Sequence, residues 1–327
     1  MENASHPPRP VFITTWNAIK GYLEICRFDH WIKNIFVLPG TLVALAFMPH
    51  PVDAALIENL LLGLLAIGLI TSSNYVVNEI LDAPSDLKHP QKRLRAVPLG
   101  RVFIPFAYAQ WIVLMLGGLV LSAQISKPFL IVCAALWVMG CIYNIPPLRT
   151  KDVPYLDVLS ESVNNPLRML AGWYIVNPLA FPSTNLLLSY WMLGGYLMAL
   201  KRYAEFRDIA DHSIAAGYRK SFKFYSEERL LVSTMFYAAA SMLFLGAFIM
   251  RYKIELILSF PFIAWVMALY MHLAFKKDSA VQAPEKLYRE PMLMISVALC
   301  SVVMIGLFFV KIPGMASFFA PTMPIVN

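Results

Sequence analysis

Long apolar runs fill this chain, and each is long enough to cross a bilayer. Hydropathy places them near residues 33–49, 55–81, 102–123, 128–145, 155–177, 184–204, 230–250, 254–275 and 291–311. About nine such spans leave little freedom of architecture. In hydrocarbon every backbone amide must be satisfied inside the protein, which makes the expected fold class all-α and polytopic. The composition agrees, with 59% hydrophobic and 14% charged residues among 327. An amphipathic stretch over 12–27 is expected to lie at the membrane surface before the first span. The chain then divides into an interfacial segment 1–32, a transmembrane catalytic domain 33–311 and a short tail 312–327. Pro7, Pro8 and Pro10 interrupt the start, so no cleavable signal peptide is expected there.

The connections set the orientation. Alternate loops carry Lys88, Lys92, Arg93, Arg95 and Arg101, then Arg149 and Lys151, then Lys201 to Arg229, then Lys276 to Arg289. The opposite connections hold only Lys127, Arg251, Lys253 and Lys311. By the positive-inside rule the first set is cytoplasmic, with the N-terminus inside. A bacterial plasma membrane is the expected location. The net charge of +7 is then topological and phosphate-directed. A nucleic-acid partner is not expected, because the basic residues flank spans and form no nucleic-acid motif. Cys26, Cys133, Cys141 and Cys300 lack metal-ligand spacing, and the six histidines are scattered. A homo-oligomer is compatible with this pattern and is not required by it.

Chemistry concentrates at one membrane edge. Asn78, Asp82 and Asp86 recur every four residues, on one helix face at the end of a long apolar run. Lys88, Lys92, Arg93 and Arg95 follow. Carboxylate oxygens suit Mg²⁺, which is commonly shared with substrate phosphates, and the cations supply the other half of a phosphate site. A phosphorylated substrate arriving with Mg²⁺ satisfies both halves. The plain alternative is a solvated loop whose charges only fix topology.

A second cluster repeats the arrangement. Pro146 and Pro147 end the preceding helix, and Asp157 and Glu161 form another i, i+4 acidic pair. Arg168 lies two turns beyond Glu161, inside a span, and is expected to face a water-filled cavity or an acidic partner. The competing reading is a buried Arg168–Glu161 ion pair that only ties helices together. Asn164-Asn165-Pro166 should loosen this helix. Two acidic pairs with cationic neighbours point to one central cavity, facing the cytoplasm. One pair could hold metal and pyrophosphate; the other could hold a second metal or orient the remaining substrate. A third polar element, Lys201-Arg202-Tyr203-Ala-Glu205, closes the sixth span, and Tyr218 to Tyr225 alternates cations and aromatics as a lid or a surface anchor. Trp31 and Lys33 suit an interfacial anchor, with a phosphate contact by Lys33 as the sharper reading.

Asn78-x3-Asp82-x3-Asp86 resembles the first Asp-rich motif of the UbiA-type intramembrane prenyltransferase superfamily. Tyr143-Asn-Ile-Pro-Pro-Leu-Arg149-Thr-Lys151, followed by Asp157-x3-Glu161, looks like its second. Three pieces resemble the decaprenyl-phosphate phosphoribosyltransferase branch: His89 to Arg95, Trp31-Ile-Lys33-Asn34, and Lys201 to Glu205 with Arg219 to Tyr225. The resemblance implies Mg²⁺-dependent transfer of a 5-phosphoribosyl group from phosphoribosyl pyrophosphate to a polyprenyl phosphate. It implies that Asp82 and Asp86 bind Mg²⁺ and pyrophosphate, with Asn78 in support. Lys92, Arg93 and Arg95 would hold donor phosphates, and Lys33, Lys201 and Arg202 are candidates for phosphates of either substrate. Tyr143, Arg149, Lys151 and Arg168 complete the candidate substrate-binding set, and Asp157 and Glu161 the catalytic acids. Glu79, Ala96 and Glu161 depart from the superfamily pattern.

Two other functions compete. An aromatic or lipid prenyltransferase would use the same metal site with a polyprenyl diphosphate donor, and would need fewer cations. An anion transporter would place charges at the bilayer midplane and show inverted repeats, whereas these charges gather on one side.

Overall fold

The computed structural model describes residues 15–48, 51–87, 92–209 and 219–320. The turn at 49–50, the segment His89 to Gln91, residue Tyr218 and the tail from 321 lie outside the described residues. The described residues form helices and no strand. They are α1 (Thr15–Ile25), α2 (Leu38–Phe47), α3 (Ala54–Asp86), α4 (Ile104–Ile125), α5 (Lys127–Asn144), α6 (Leu156–Ser162), α7 (Asn164–Val176), α8 (Thr184–Asp208), α9 (Glu227–Tyr252), α10 (Phe260–Ala274), α11 (Pro291–Phe309) and α12 (Met315–Phe318). A 3-10 segment, Phe28–Val37, joins α1 to α2 after a left-handed residue at Arg27.

Several helix starts are written locally. The Asp53 carboxylate accepts from the Leu56 amide at 2.9 Å and caps α3. Ser126 caps α5 through the Phe129 amide, and Ser226 caps α9 through the Arg229 amide, both at 3.2 Å. Pro105, Pro128, Pro261 and Pro291 occupy first turns, where no amide donor is needed.

Seven helical stretches among the described residues are long and apolar enough to cross a membrane, so the chain is an integral membrane protein. The expectation of about nine spans meets two differences. The stretch 155–177 is split at Val163 into α6 and α7, neither of which reaches crossing length alone. Helix α8 is long, but Asn185, Ser189, Gly194, Gly195 and its terminal charges dilute its apolar run. The first crossing also starts earlier than expected, at Ile19, because the 3-10 segment continues the path from α1 to α2.

Packing among the described residues forms four clusters, two of them large. One joins α2, α3, α5 and α7 through Ile67, Ile70, Phe129, Leu136, Met169 and Trp173. The other joins α8, α9 and α10 through Leu200, Tyr203, Leu230, Tyr237 and Leu273. Helices α2 and α7 meet backbone to backbone: a Cβ on Gly40 would stand 1.9 Å from the Met169 carbonyl oxygen, and one on Gly172 would stand 1.9 Å from that of Val37. Only glycine permits this approach, and the Thr41 hydroxyl uses it to donate to Gly172 O at 3.1 Å. Outward faces of α4, α9 and α11 expose Val113, Val120, Met235, Leu243, Ile295 and Val302, as lipid contact requires.

The C-terminal ends of α3, α5, α8 and α10 gather at one end of the bundle, and the start of α7 joins them there. Their partially negative ends favour the cations that follow each helix.

Candidate active site

A cavity of about 1240 Å³ opens at that end. Eleven Lys or Arg and eight Asp or Glu line it among the described residues. It takes in eleven of the residues singled out from sequence: Lys33, Asn78, Asp82, Lys92, Arg95, Tyr143, Lys151, Glu161, Arg168, Lys201 and Arg202. Asp86, Arg93, Arg149 and Asp157 do not line it.

One wall is built on Asp82, in the last turn and a half of α3. Its Oδ1 accepts from Lys151 Nζ at 2.5 Å and from Arg149 Nη2 at 2.9 Å. Its Oδ2 accepts from Asn78 Nδ2 at 3.1 Å. Asn144, at the end of α5, closes the ring: its Oδ1 accepts from Asn78 at 2.5 Å and from Lys151 at 2.9 Å. Arg149 stands behind this wall, held also by the Asn144 carbonyl and the Asp152 carboxylate. Burial pushes the Lys151 ammonium down to about 8, against the opposing pull of Asp82.

Asp86, four residues on, turns the other way. It is 2% exposed and accepts from Arg95 Nη1 at 2.7 Å. Glu79 accepts from the Val97 amide at 3.2 Å and fixes the loop that carries Arg95. Lys92 reaches the cavity from the same loop, and burial lowers its ammonium to about 7. Arg93 points to the exterior.

The second acidic pair is also divided. Asp157 is fully buried. Its Oδ1 accepts from Tyr225 Oη at 2.5 Å; its Oδ2 accepts from Ser221 Oγ at 3.2 Å, Arg202 Nε at 3.3 Å and Arg219 Nη1 at 3.5 Å. Asp157 thus ties α6, α8 and the segment 219–225 together, and it presents Arg202 and Arg219 to the cavity. Arg202 also donates to Glu205 at 2.8 Å and to Tyr143 Oη at 3.2 Å. Glu161, one turn on, faces the cavity instead. No ion pair joins Glu161 to Arg168 among the described residues, so the tying role expected of such a pair is not what holds these helices.

Sequence reasoning gave no site role to Asn144, Arg27, Glu205 or Arg219. Asn144 adjoins Tyr143 in the same motif and could have been taken with it. Arg219 sits in the cation–aromatic alternation, but its inward turn depends on Asp157, which is 62 residues away.

A model of the UbiA prenyltransferase family matches residues 36–297. An uncharacterised protein of Sinorhizobium fredii is 28% identical over 166 residues, half of this chain and 30% of that protein's length. A decaprenyl-phosphate phosphoribosyltransferase of Mycobacterium tuberculosis is 27% identical over 220 residues, 65% of this chain and 68% of that enzyme. The chain therefore spans under a third of the first relative and about two thirds of the second. A solved UbiA homologue from Archaeoglobus fulgidus, bound to DMAPP and Mg²⁺, superposes with a TM-score of 0.67 at 19% identity, covering 91% of this chain and 99% of that one. At that identity the likeness speaks to the fold.

Proposed function

The chain belongs to the UbiA prenyltransferase family, and on that premise we propose that it transfers a 5-phosphoribosyl group from phosphoribosyl pyrophosphate to a polyprenyl phosphate, in the manner named for its mycobacterial relative. The observation that carries this reading is the excess of cations on the cavity wall. A sugar donor with three phosphates and a lipid phosphate together bring more anionic groups than a prenyl diphosphate with a neutral acceptor.

Mg²⁺ is the metal this donor set suits. Asp82 and Glu161 turn carboxylates to the cavity. Among the described residues no group of three Asp, Glu, His or Cys forms a closed cage. Mg²⁺ is commonly held in this way, by one or two carboxylates with substrate phosphates and water completing its shell. Asp82 would hold it, while Asp86, expected from sequence as its second ligand, is committed to Arg95. Bound there, the ion supplies positive charge to the departing pyrophosphate.

The remaining chemistry belongs to the chain. The bond from the anomeric carbon to pyrophosphate breaks, and its electron pair leaves with the pyrophosphate. Lys151, Lys92 and Arg219 stabilise that charge. An oxygen of the acceptor phosphate forms the new bond. That oxygen is already anionic, so no general base is required. The cation-rich end faces the cytoplasm in this reading, where the water-soluble donor is met.

The test is pyrophosphate release by the full chain in detergent with Mg²⁺, following ribose label into a lipid extract. Label entering lipid only with both substrates and metal supports phosphoribosyl transfer. Turnover of a polyprenyl diphosphate with an aromatic acid instead would assign the prenyl-donor reaction.

A further inference from the structure

Many charges in the cavity are paired with a neighbour, and Arg168, Lys201 and Glu161 are among those that are not. Lys151 and Arg149 hold Asp82, Arg95 holds Asp86, and Arg202 and Arg219 hold Asp157. Arg168, Lys201 and Glu161 line the same cavity without a side-chain hydrogen bond or ion pair among the described residues. Arg168 is the extreme case. It is 7% exposed, and its Nε is fully buried with no acceptor in reach. A buried guanidinium N–H without an acceptor incurs a desolvation cost. It also sits in the second turn of α7, inside the bundle, where a charge needs a partner most.

The surroundings say what partner would serve. Lys201 stands within electrostatic reach of Lys33 and Glu161, and Arg168 and Glu161 both act on the Tyr75 ring. Lys33 lies 6.0 Å from the centre of that same ring. Arg168, Lys201 and Lys33 therefore line one cavity from α7, α8 and the 3-10 segment, and neither Arg168 nor Lys201 is bonded to Asp82. Glu161 lies among them, and Glu205, which acts on Lys201, is held by Arg202. Cations outnumber the remaining acid here, which suits a phosphate anion. The planar guanidinium suits two phosphate oxygens at once. Helix α7 packs against the 3-10 segment, whose outer face exposes Phe28, Ile32 and Ile35 as lipid contacts.

We infer that Arg168, with Lys201 and Lys33, forms a phosphate-monoester subsite that receives the lipid acceptor's phosphate, distinct from the diphosphate wall at Asp82. This rests on the phosphoribosyl-transfer reading, and it divides the cavity between the two substrates.

Binding measured without turnover tests it. The probes are farnesyl phosphate, farnesyl diphosphate, farnesol and phosphoribosyl pyrophosphate, titrated against the full chain in detergent by thermal shift. Wild-type protein should bind farnesyl phosphate and ignore farnesol. Arg168→Gln should weaken farnesyl phosphate by ~10- to 100-fold, the worth of hydrogen bonds to a charged group, and leave phosphoribosyl pyrophosphate within about twofold. Arg168→Lys, which keeps the charge and loses the fork, should fall between. Undiminished farnesyl phosphate binding by Arg168→Gln overturns the subsite. Loss of phosphoribosyl pyrophosphate alone also overturns it, and moves Arg168 to the donor's 5-phosphate; equal loss of both ligands overturns its selectivity. If the wild type binds farnesyl diphosphate but neither farnesyl phosphate nor phosphoribosyl pyrophosphate, the reaction reading itself fails, and that outcome is visible before any variant is made.

Discussion

The two acidic pairs share a spacing and a position at a helix end, yet each splits in the opposite order. In Asp82–Asp86 the first carboxylate faces the cavity and the second is sealed against Arg95. In Asp157–Glu161 the first is sealed, by four donors, and the second faces the cavity. An i, i+4 spacing makes two residues neighbours on a helix, but it does not make them equivalent. What decides is the chain that folds over them. Residues 92–101 cover Asp86, and residues 219–225 cover Asp157. Each pair so provides one carboxylate for ligands and one that holds a cationic loop in place.

The largest effect expected from this contrast is on folding. Asp157→Ala leaves Arg202 and Arg219 without their buried counter-charge, and should destabilise the protein by ~3–5 kcal/mol. Its unfolding transition in detergent should fall accordingly, and activity should fall with it. A transition unchanged from wild type would mean that Asp157 is not a tie, and would return it to the ligand-binding groups.

Asp82→Asn should do the reverse. Its carboxylate already meets the cavity, so the fold should survive with a transition close to wild type. Turnover should drop by on the order of 10²–10³-fold, the scale for a lost charge-stabilising group. Asp86→Asn is the internal control, with an effect on turnover of about tenfold, reached through a displaced Arg95. If Asp86→Asn matches Asp82→Asn in turnover while keeping its fold, the division within the first pair is wrong.

This division could not be read from the sequence, although much else could. The apolar runs gave the helical class directly, because each run is local. The Asn78, Asp82 and Lys151 cluster was also visible, since the motif residues adjoin helix ends. The break at Val163 was half visible: Asn164-Asn165-Pro166 signalled a loosened helix, but its placement depends on Gly194, where any Cβ would stand 2.1 Å from the Asn165 amide. Burial of Asp157 depends on Tyr225 and Ser221, over 60 residues on. Periodicity carries no information about such partners. The placement of Asp86 off the cavity was illegible for the same reason: Arg95, expected to be a phosphate ligand, has a neighbour in the protein as its partner.

A pH effect sharpens the loop side of the comparison. Lys92 titrates at about 7 and Lys151 at about 8, both lowered chiefly by burial. Each is charged below its own value and neutral above it. Affinity for an anionic donor should therefore fall as pH rises from about 6.5 to 8.5, by roughly tenfold for one lost charge contact. Lys92→Arg keeps its charge throughout this range. It should flatten the lower part of the profile, leaving the decline governed by Lys151. An unaltered profile would remove Lys92 from the donor's surroundings.

The smallest effect separates neighbours on one short loop. Arg93 and Arg95 are two residues apart, and sequence reasoning gave both to donor phosphates. Arg95 lines the cavity and is held by Asp86, whereas Arg93 is exposed and off the cavity. An exposed cation is screened by water and salt, so Arg93→Ala should change the KM for donor by less than about twofold. Arg95→Ala should raise it several-fold, and its cost should not add to that of Asp86→Asn, because both remove one shared contact. Equal effects of the two arginine variants would mean that the loop turns over when substrate binds. The sealed member of the first pair would then be sealed only while the cavity is empty, and the symmetry between the two pairs would end with the arrival of the donor.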